Sequence, residues 1–256
     1  MKPYRTPLAQ RLAITASLAL SLAAPAAMAQ TAAKTVVLVH GAFADGSSWH
    51  KVIPLLEKAG LQVVAVQNKL ESLEGDVAFT NRALDLAEGP VVLVGHSWGG
   101  VVITEAGVHE KVKSLVYVAS YTPDAGQSLV DTVKGYPDSP GRASFMADSK
   151  GYLKLSDEGI FKYFAPDLPR EEQVVVAATQ GAYNRTAPAQ PVTKAAWRKV
   201  PSFVLVSGND QIAPPQMQRD RATKLLKATV KEVPSSHVAM LSHPEEVASF
   251  IIQAAK

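Results

Sequence analysis

The chain contains no cysteine, so no disulfide holds its fold and no lipid is attached through an N-terminal thiol. It contains no internal repeat, no low-complexity tract and no apolar run of the roughly 20 residues that a membrane-spanning helix needs. No acidic residue precedes position 30, where the only charges are Lys2, Arg5 and Arg11. Removing those three from 26 basic residues leaves 23, against 23 acidic ones. The formal charge of +3 therefore belongs to the N-terminal segment. A neutral body offers no electrostatic case for a nucleic-acid or anionic-membrane partner.

That N-terminal segment has the layout of an export signal. Its basic stretch ends at Arg11, Leu12 to Ala24 is a short apolar run, and Ala27-Met28-Ala29 satisfies the small-x-small cleavage rule. Residues 1–29 are expected to be a signal peptide without a membrane anchor, and the mature protein to be periplasmic or secreted. The remaining length, 47% hydrophobic over the whole chain, suits one large domain over residues 30–256.

That domain is organised around Val91-Val92-Leu93-Val94-Gly95-His96-Ser97-Trp98-Gly99-Gly100. Four apolar residues make a buried strand. A Gly-x-Ser-x-Gly turn ends it, and Val101 to Ala106 continues as a helix. A serine on so sharp a turn needs neighbours without a Cβ two positions either side, which Gly95 and Gly99 provide. The turn lifts the Ser97 hydroxyl, and the new helix aims its free N–H groups at any developing oxyanion. The glycine turn lacks the lysine of a phosphate-binding loop.

Short apolar strands are expected at 34–39, 61–66, 91–94, 114–119, 202–207 and 229–233, alternating with helices at about 49–59, 77–88 and 215–227 and a last one from Pro244. This rhythm implies a mostly parallel sheet covered by helices on both faces. It breaks between about 122 and 199, where turn formers cluster and short helical pieces are expected. Nine of the seventeen aromatic residues lie from Tyr121 to Trp197, so this stretch is taken as an inserted cap rather than a linker.

Serine needs a base, and the base needs an orienting acid. Two histidines follow the fifth strand. His237 comes directly after the last strand, where a loop brings it over the turn; His243 precedes Pro244 and suits local packing or capping. For the acid, Asp210 follows the fifth strand in Gly208-Asn209-Asp210, and is preferred to Asp124, whose Pro123-Asp124-Ala125-Gly126 setting makes a good turn. One oxyanion donor is the backbone N–H of Trp98, the other that of Phe43 or Ala42 in the loop after the first strand. Ala42, Phe43, Trp98 and Tyr121 are the candidate substrate contacts. His40, His50, His96 and His109 are assigned structural or exposed positions. No cluster has metal-ligand spacing, and no cofactor is implied.

Val-Leu-Val-His-Gly-Ala-Phe at 37–43, Gly-His-Ser-Trp-Gly-Gly at 95–100, Gly-Asn-Asp at 208–210 and Ser-Ser-His at 235–237 resemble the α/β-hydrolase superfamily. Ser48-Trp49, Ile212-Ala213-Pro214-Pro215 and Leu241-Ser242-His243-Pro244 are similar to its small-cap esterase branch, which includes plant methyl esterases and hydroxynitrile lyases. The resemblance implies the α/β-hydrolase fold, a Ser97–His237–Asp210 triad and oxyanion donors Phe43 and Trp98. A serine esterase or lactonase acting through an acyl-enzyme is the expected activity, and the neutral charge balance of the body points to a small neutral substrate. The alternatives on the same residues are a lyase, a cofactor-free haloperoxidase or a non-catalytic binding protein. Trp98 departs from the branch, which usually has Leu or Met there, and its bulk is expected to narrow the pocket beside the serine. The lysine used by hydroxynitrile lyases has no evident counterpart in the cap.

Exported from a secreting bacterial host, the protein should begin at Gln30. N-terminal sequencing checks this, and an exported chain that retains Met1 overturns it.

Overall fold

Runs of Val and Leu without polar alternation are stable in a water-soluble domain as strands covered on both faces. A computed structural model of the chain, describing Met1 and residues 32–256, sets six such strands side by side. Apart from Met1, the segment expected to be a signal peptide lies outside the described residues. In chain order the strands are β1 (Thr35–Val39), β2 (Gln62–Val66), β3 (Val91–His96) and β4 (Val112–Val118). Three short ones follow, β5 (Phe145–Ala147), β6 (Tyr152–Leu155) and β7 (Tyr183–Asn184), then β8 (Ser202–Ser207) and β9 (Thr229–Val233). The main sheet has the order β2-β1-β3-β4-β8-β9, with every pairing parallel. All residues of β1 and β3 are buried, whereas the outer strands β2 and β9 are mostly part-exposed. The strand order reverses between β1 and β3, and the crevice beyond their carboxyl ends is where open α/β sheets bind ligands. Val39 pairs with Gly95, so the loop leaving β1 lies against the turn leaving β3.

The helices are α1 (Ile53–Lys58), α2 (Leu73–Leu86), α3 (Trp98–Ala106), α4 (Leu129–Thr132), α5 (Asp157–Gly159), α6 (Arg170–Ala178), α7 (Pro215–Asp220), α8 (Ala239–Ser242) and α9 (Pro244–Ala254). The long helix expected at 49–59 is divided. A 3₁₀ turn at Gly46–Trp49 is capped by Asp45, whose side chain accepts from Ser47 N, and α1 begins only at Ile53. Pro54 is the reason, because proline is tolerated in the first turn of a helix and breaks its interior. Helix α2 starts four residues before expectation because Ser72 caps it, accepting from Gly75 N at 3.1 Å. After α7 the chain continues in wider π turns over Arg221–Leu226.

Between β4 and β8 the expected short helices are joined by the antiparallel sheet β5-β6-β7. Apolar alternation there is too brief to signal strands: β7 is two residues long. Among the described residues, no helix is long and apolar enough to cross a membrane.

Two glycines allow β3, α3 and β1 to meet. A Cβ on Gly95 would stand 2.5 Å from Gly99 O, and one on Gly99 would stand 2.4 Å from Val39 O. Both obstacles are backbone and cannot rotate away. Gly95→Ala should therefore cost about 1–3 kcal/mol or more, seen as a Tm several degrees lower in thermal unfolding. An unchanged Tm would show that the turn relaxes.

Candidate active site

Ser97 sits at the β3–α3 turn with φ 52° and ψ −118°, a left-handed conformation that a residue with a Cβ adopts only under constraint. The constraint is visible. Ser97 N donates to Val118 O at 3.1 Å, Gly100 N donates to Ser97 O at 2.9 Å, and the Ser120 hydroxyl lies 3.0 Å from Gly95 O and 3.1 Å from Ser97 O. Nothing in the local sequence around Ser97 pointed to Ser120, which comes from the end of β4.

His237 follows β9, whose carboxyl end lies at the same edge of the parallel sheet as the Ser97 turn. Its Nε2 is 2.8 Å from Ser97 Oγ and its Nδ1 is 2.7 Å from Asp210 Oδ2. A carboxylate on Nδ1 assigns the proton to that nitrogen and leaves Nε2 as the acceptor for the serine hydroxyl. Asp210 follows β8, and its side chain is fully buried. Ile212 N and Ala213 N donate to its Oδ1 at 2.8 and 2.9 Å, and Gln218 Nε2 donates to its Oδ2 at 3.0 Å. The carboxylate is thus fixed from α7 and its preceding loop, with its acceptors occupied.

The imidazole of His237 is packed between Phe164, with ring centroids 5.1 Å apart, and His96, at 4.8 Å. His96 Nε2 donates to the His237 carbonyl at 2.9 Å. Burial, with His237 nearby, holds the His96 pKa well below the ordinary imidazole range, so this ring is a neutral brace. From the cap, Asp167 accepts from Ser236 N at 2.7 Å and so clamps the loop that carries His237. His96 was assigned structurally; that it braces His237 itself, and that Asp167 takes part, needed the fold.

The alternatives fall elsewhere. Asp124 pairs with Arg198, whose Nε donates at 2.8 Å and holds the carboxyl below its usual range. His243 Nδ1 lies 2.9 Å from its neighbour Ser242 Oγ. His40 accepts from Asn68 N and bonds the Gly41 carbonyl; burial lowers its pKa. Among the described residues no group of three His, Cys, Asp or Glu side chains is placed to hold a metal ion.

Ser97 and His237 open onto a cavity of about 290 Å³ that is also lined by Ala42, Phe43, Trp98 and Tyr121. All four candidate substrate contacts are thus gathered at one site. Phe43 adopts φ 59° in the loop after β1, and Trp98 is the first residue of α3, where backbone N–H groups have no acceptor within the helix. The Tyr121 hydroxyl donates to Ile212 O at 3.3 Å, and burial pushes its pKa above the ordinary phenol range. The cap contributes Leu129, Val133, Tyr136, Phe145, Leu153 and Tyr183 to the wall. The exposed side chains of Arg142 and Arg185 also line it, together with Asp138. No sequence pattern marked those three.

The sequence model described as "Alpha/beta hydrolase family" matches residues 36–250. The chain belongs to the α/β-hydrolase family. This hydrolase is similar to salicylic acid-binding protein 2 of Nicotiana tabacum, at 24% identity over 87% of this chain and 97% of that protein. It is similar to methylesterase 7 of Arabidopsis thaliana, at 25% identity over 87% of this chain and 96% of that one. Among solved structures, a pyrethroid hydrolase from Sphingobium faniae JZ-2 superposes with a TM-score of 0.74 at 23% identity, over 87% of this chain and 97% of that one. These relatives fall within the esterase branch that the motifs resemble.

Proposed function

We propose that this hydrolase is an exported serine esterase that cleaves small carboxylic esters or lactones through an acyl-enzyme. The observation that carries the reading is one continuous hydrogen-bonded line, Ser97 Oγ to His237 Nε2 and Nδ1 to Asp210 Oδ2, ending at a mostly apolar cavity. The names of the relatives, a plant methylesterase and a bacterial pyrethroid hydrolase among them, agree with ester chemistry. Export rests on the composition of residues 1–29.

In this mechanism Ser97 Oγ attacks the ester carbonyl while His237 Nε2 takes its proton. Asp210 stabilises the imidazolium and holds the tautomer. The backbone N–H groups of Phe43 and Trp98 receive the oxyanion. His237 then passes its proton to the departing alkoxide, and water, activated by the same ring, releases the acid. An aromatic wall favours acyl groups of short to medium length, with Trp98 limiting the long ones, and Asp138 among the lining residues offsets only one of the two arginines there. Among the described residues no lysine lines the cavity, where the cations are Arg142 and Arg185, so the lysine of the hydroxynitrile-lyase alternative has no counterpart. A receptor would have no need of three aligned reacting groups, which weighs against the non-catalytic alternative.

Ser97→Ala should abolish hydrolysis of p-nitrophenyl acetate while leaving the circular dichroism spectrum unchanged. A fluorophosphonate should label Ser97 alone, as read by peptide mass spectrometry. Label on another serine overturns the assignment.

Asp210→Asn should lower kcat by about 10⁴-fold, the scale of the corresponding change in serine proteases. Asp124→Asn should change it little, since that carboxylate is engaged with Arg198. The reverse pattern in steady-state kinetics would move the acid to the end of β4.

A further inference from the structure

One wall of the cavity beside Ser97 is a tryptophan whose polar edge is bonded to a carboxylate that does not line the cavity. Trp98 is 1% exposed, and its Nε1 donates to Asp76 Oδ2 at 2.8 Å. Asp76 lies in the first turn of α2 and is 0% exposed. An ionisable group without solvent is retained only where its partners compensate. Burial pushes the Asp76 pKa up, while hydrogen bonds from Trp98 and the backbone of Leu70 pull it down. None of these contacts belongs to the Ser97–His237–Asp210 line, so the cost of burying Asp76 has to be explained by something else.

The second oxygen of Asp76 leads to the cap. Leu70 N donates to Asp76 Oδ1 at 3.0 Å, and Leu70 is held at φ 61°, a strained conformation for a side chain of this size. The carbonyl of the same residue accepts from Asn184 N, in cap strand β7, at 2.9 Å. The neighbour of Asn184 is Tyr183, whose ring packs against Trp98 at 5.3 Å and against Phe43 at 5.9 Å. The Tyr183 hydroxyl is buried without a hydrogen-bond partner among the described residues, so ring packing is what places this side chain. Asp76 thus holds Trp98 directly and β7 through Leu70, and the Tyr183 ring of β7 packs edge-on or tilted against Phe43 and Trp98, the two residues proposed as oxyanion donors.

We propose that Asp76 is a positioning residue that sets the acyl-chain selectivity of the site by pinning the Trp98 indole against cap residue Tyr183. With the indole anchored at its nitrogen, the ring cannot swing toward the space vacated by a small acyl group, nor withdraw for a long one. The pocket beside Ser97 keeps one depth. The branch residues Leu and Met have no N–H to anchor, so this device belongs to a chain with tryptophan at position 98.

The selectivity consequence rests on the esterase reading; the Asp76–Trp98 bond does not. The test measures kcat/KM for p-nitrophenyl acetate and p-nitrophenyl octanoate, with the indole N–H resonances of the protein followed by ¹⁵N–¹H correlation. Asp76→Leu should lower the acetate-to-octanoate ratio by about tenfold or more, the scale of discrimination that a shaped apolar pocket provides. Asp76→Asn, which keeps an oxygen for the indole, should restore most of the ratio while moving one indole resonance. Trp98→Phe should relax the ratio as Asp76→Leu does, and combining the two should add nothing further.

Equal losses on both esters in Asp76→Leu, with the ratio intact, would reduce Asp76 to a structural residue and overturn the proposal. If Asp76→Leu does not fold, an unchanged ratio in Trp98→Phe overturns it equally. Wild-type protein that hydrolyses neither ester would refute the esterase reading instead. In that case, indole resonances identical in wild type and Asp76→Asn would still overturn the positioning role.

Discussion

The structure depends on a close approach of three backbones at the carboxyl end of the sheet. β3 turns into α3 at Ser97, and α3 begins so near the end of β1 that a Cβ on Gly99 would meet Val39 O at 2.4 Å. This proximity has two effects. It forces Ser97 into the left-handed region, which raises its side chain above the strand ends, and it brings the β1 loop with Ala42 and Phe43 beside the start of α3. Residues of two segments far apart in sequence, Ala42 and Phe43 on one side and Ser97 and Trp98 on the other, then line one cavity. Both effects need the missing Cβ atoms of Gly95 and Gly99.

A turn under strain persists only if its surroundings over-determine it. Around Ser97 that role falls to buried polar groups, which interact strongly because little water competes. Ser120 holds the carbonyls of Gly95 and Ser97, His96 holds the carbonyl of His237, and Asp167 holds Ser236. Each grips the backbone of a residue at or next to a reacting group. The two buried carboxylates differ in what they reach. Asp210 takes three donors besides His237 and faces the imidazole, whereas Asp76 faces an indole and a cap-side loop. One orients a proton acceptor; the other orients a wall.

The residues proposed to react could be picked out in the sequence because each depends on local geometry. Gly-x-Ser-x-Gly after an apolar run has few other uses, and Asp210 and His237 each follow a strand directly, so parallel pairing brings them to one edge. The partners that brace them were not legible. His96 and His237 are 141 residues apart, and Trp98 and Asp76 belong to different helices. A hydrogen bond across such a separation leaves no periodicity to read. The divided first helix shows the opposite case, a local signal in Pro54 outweighed by an attractive apolar pattern.

The cap resists sequence reading for a further reason: its residues serve two surfaces at once. Of its aromatics, Tyr121, Tyr136, Phe145 and Tyr183 line the cavity, but Phe164 packs on His237 and Trp197 donates to Pro123 O at 2.9 Å. The same composition therefore supports both the lid's own packing and the substrate wall, and burial alone does not separate them: Tyr183 and Phe164 are both buried. Phe145 and Tyr183 reach the cavity from the antiparallel β5-β6-β7 sheet, whose strands are too short to announce themselves. The cavity wall is thus built largely from the part of the chain with the weakest local signals, while the proposed triad comes from the part with the strongest.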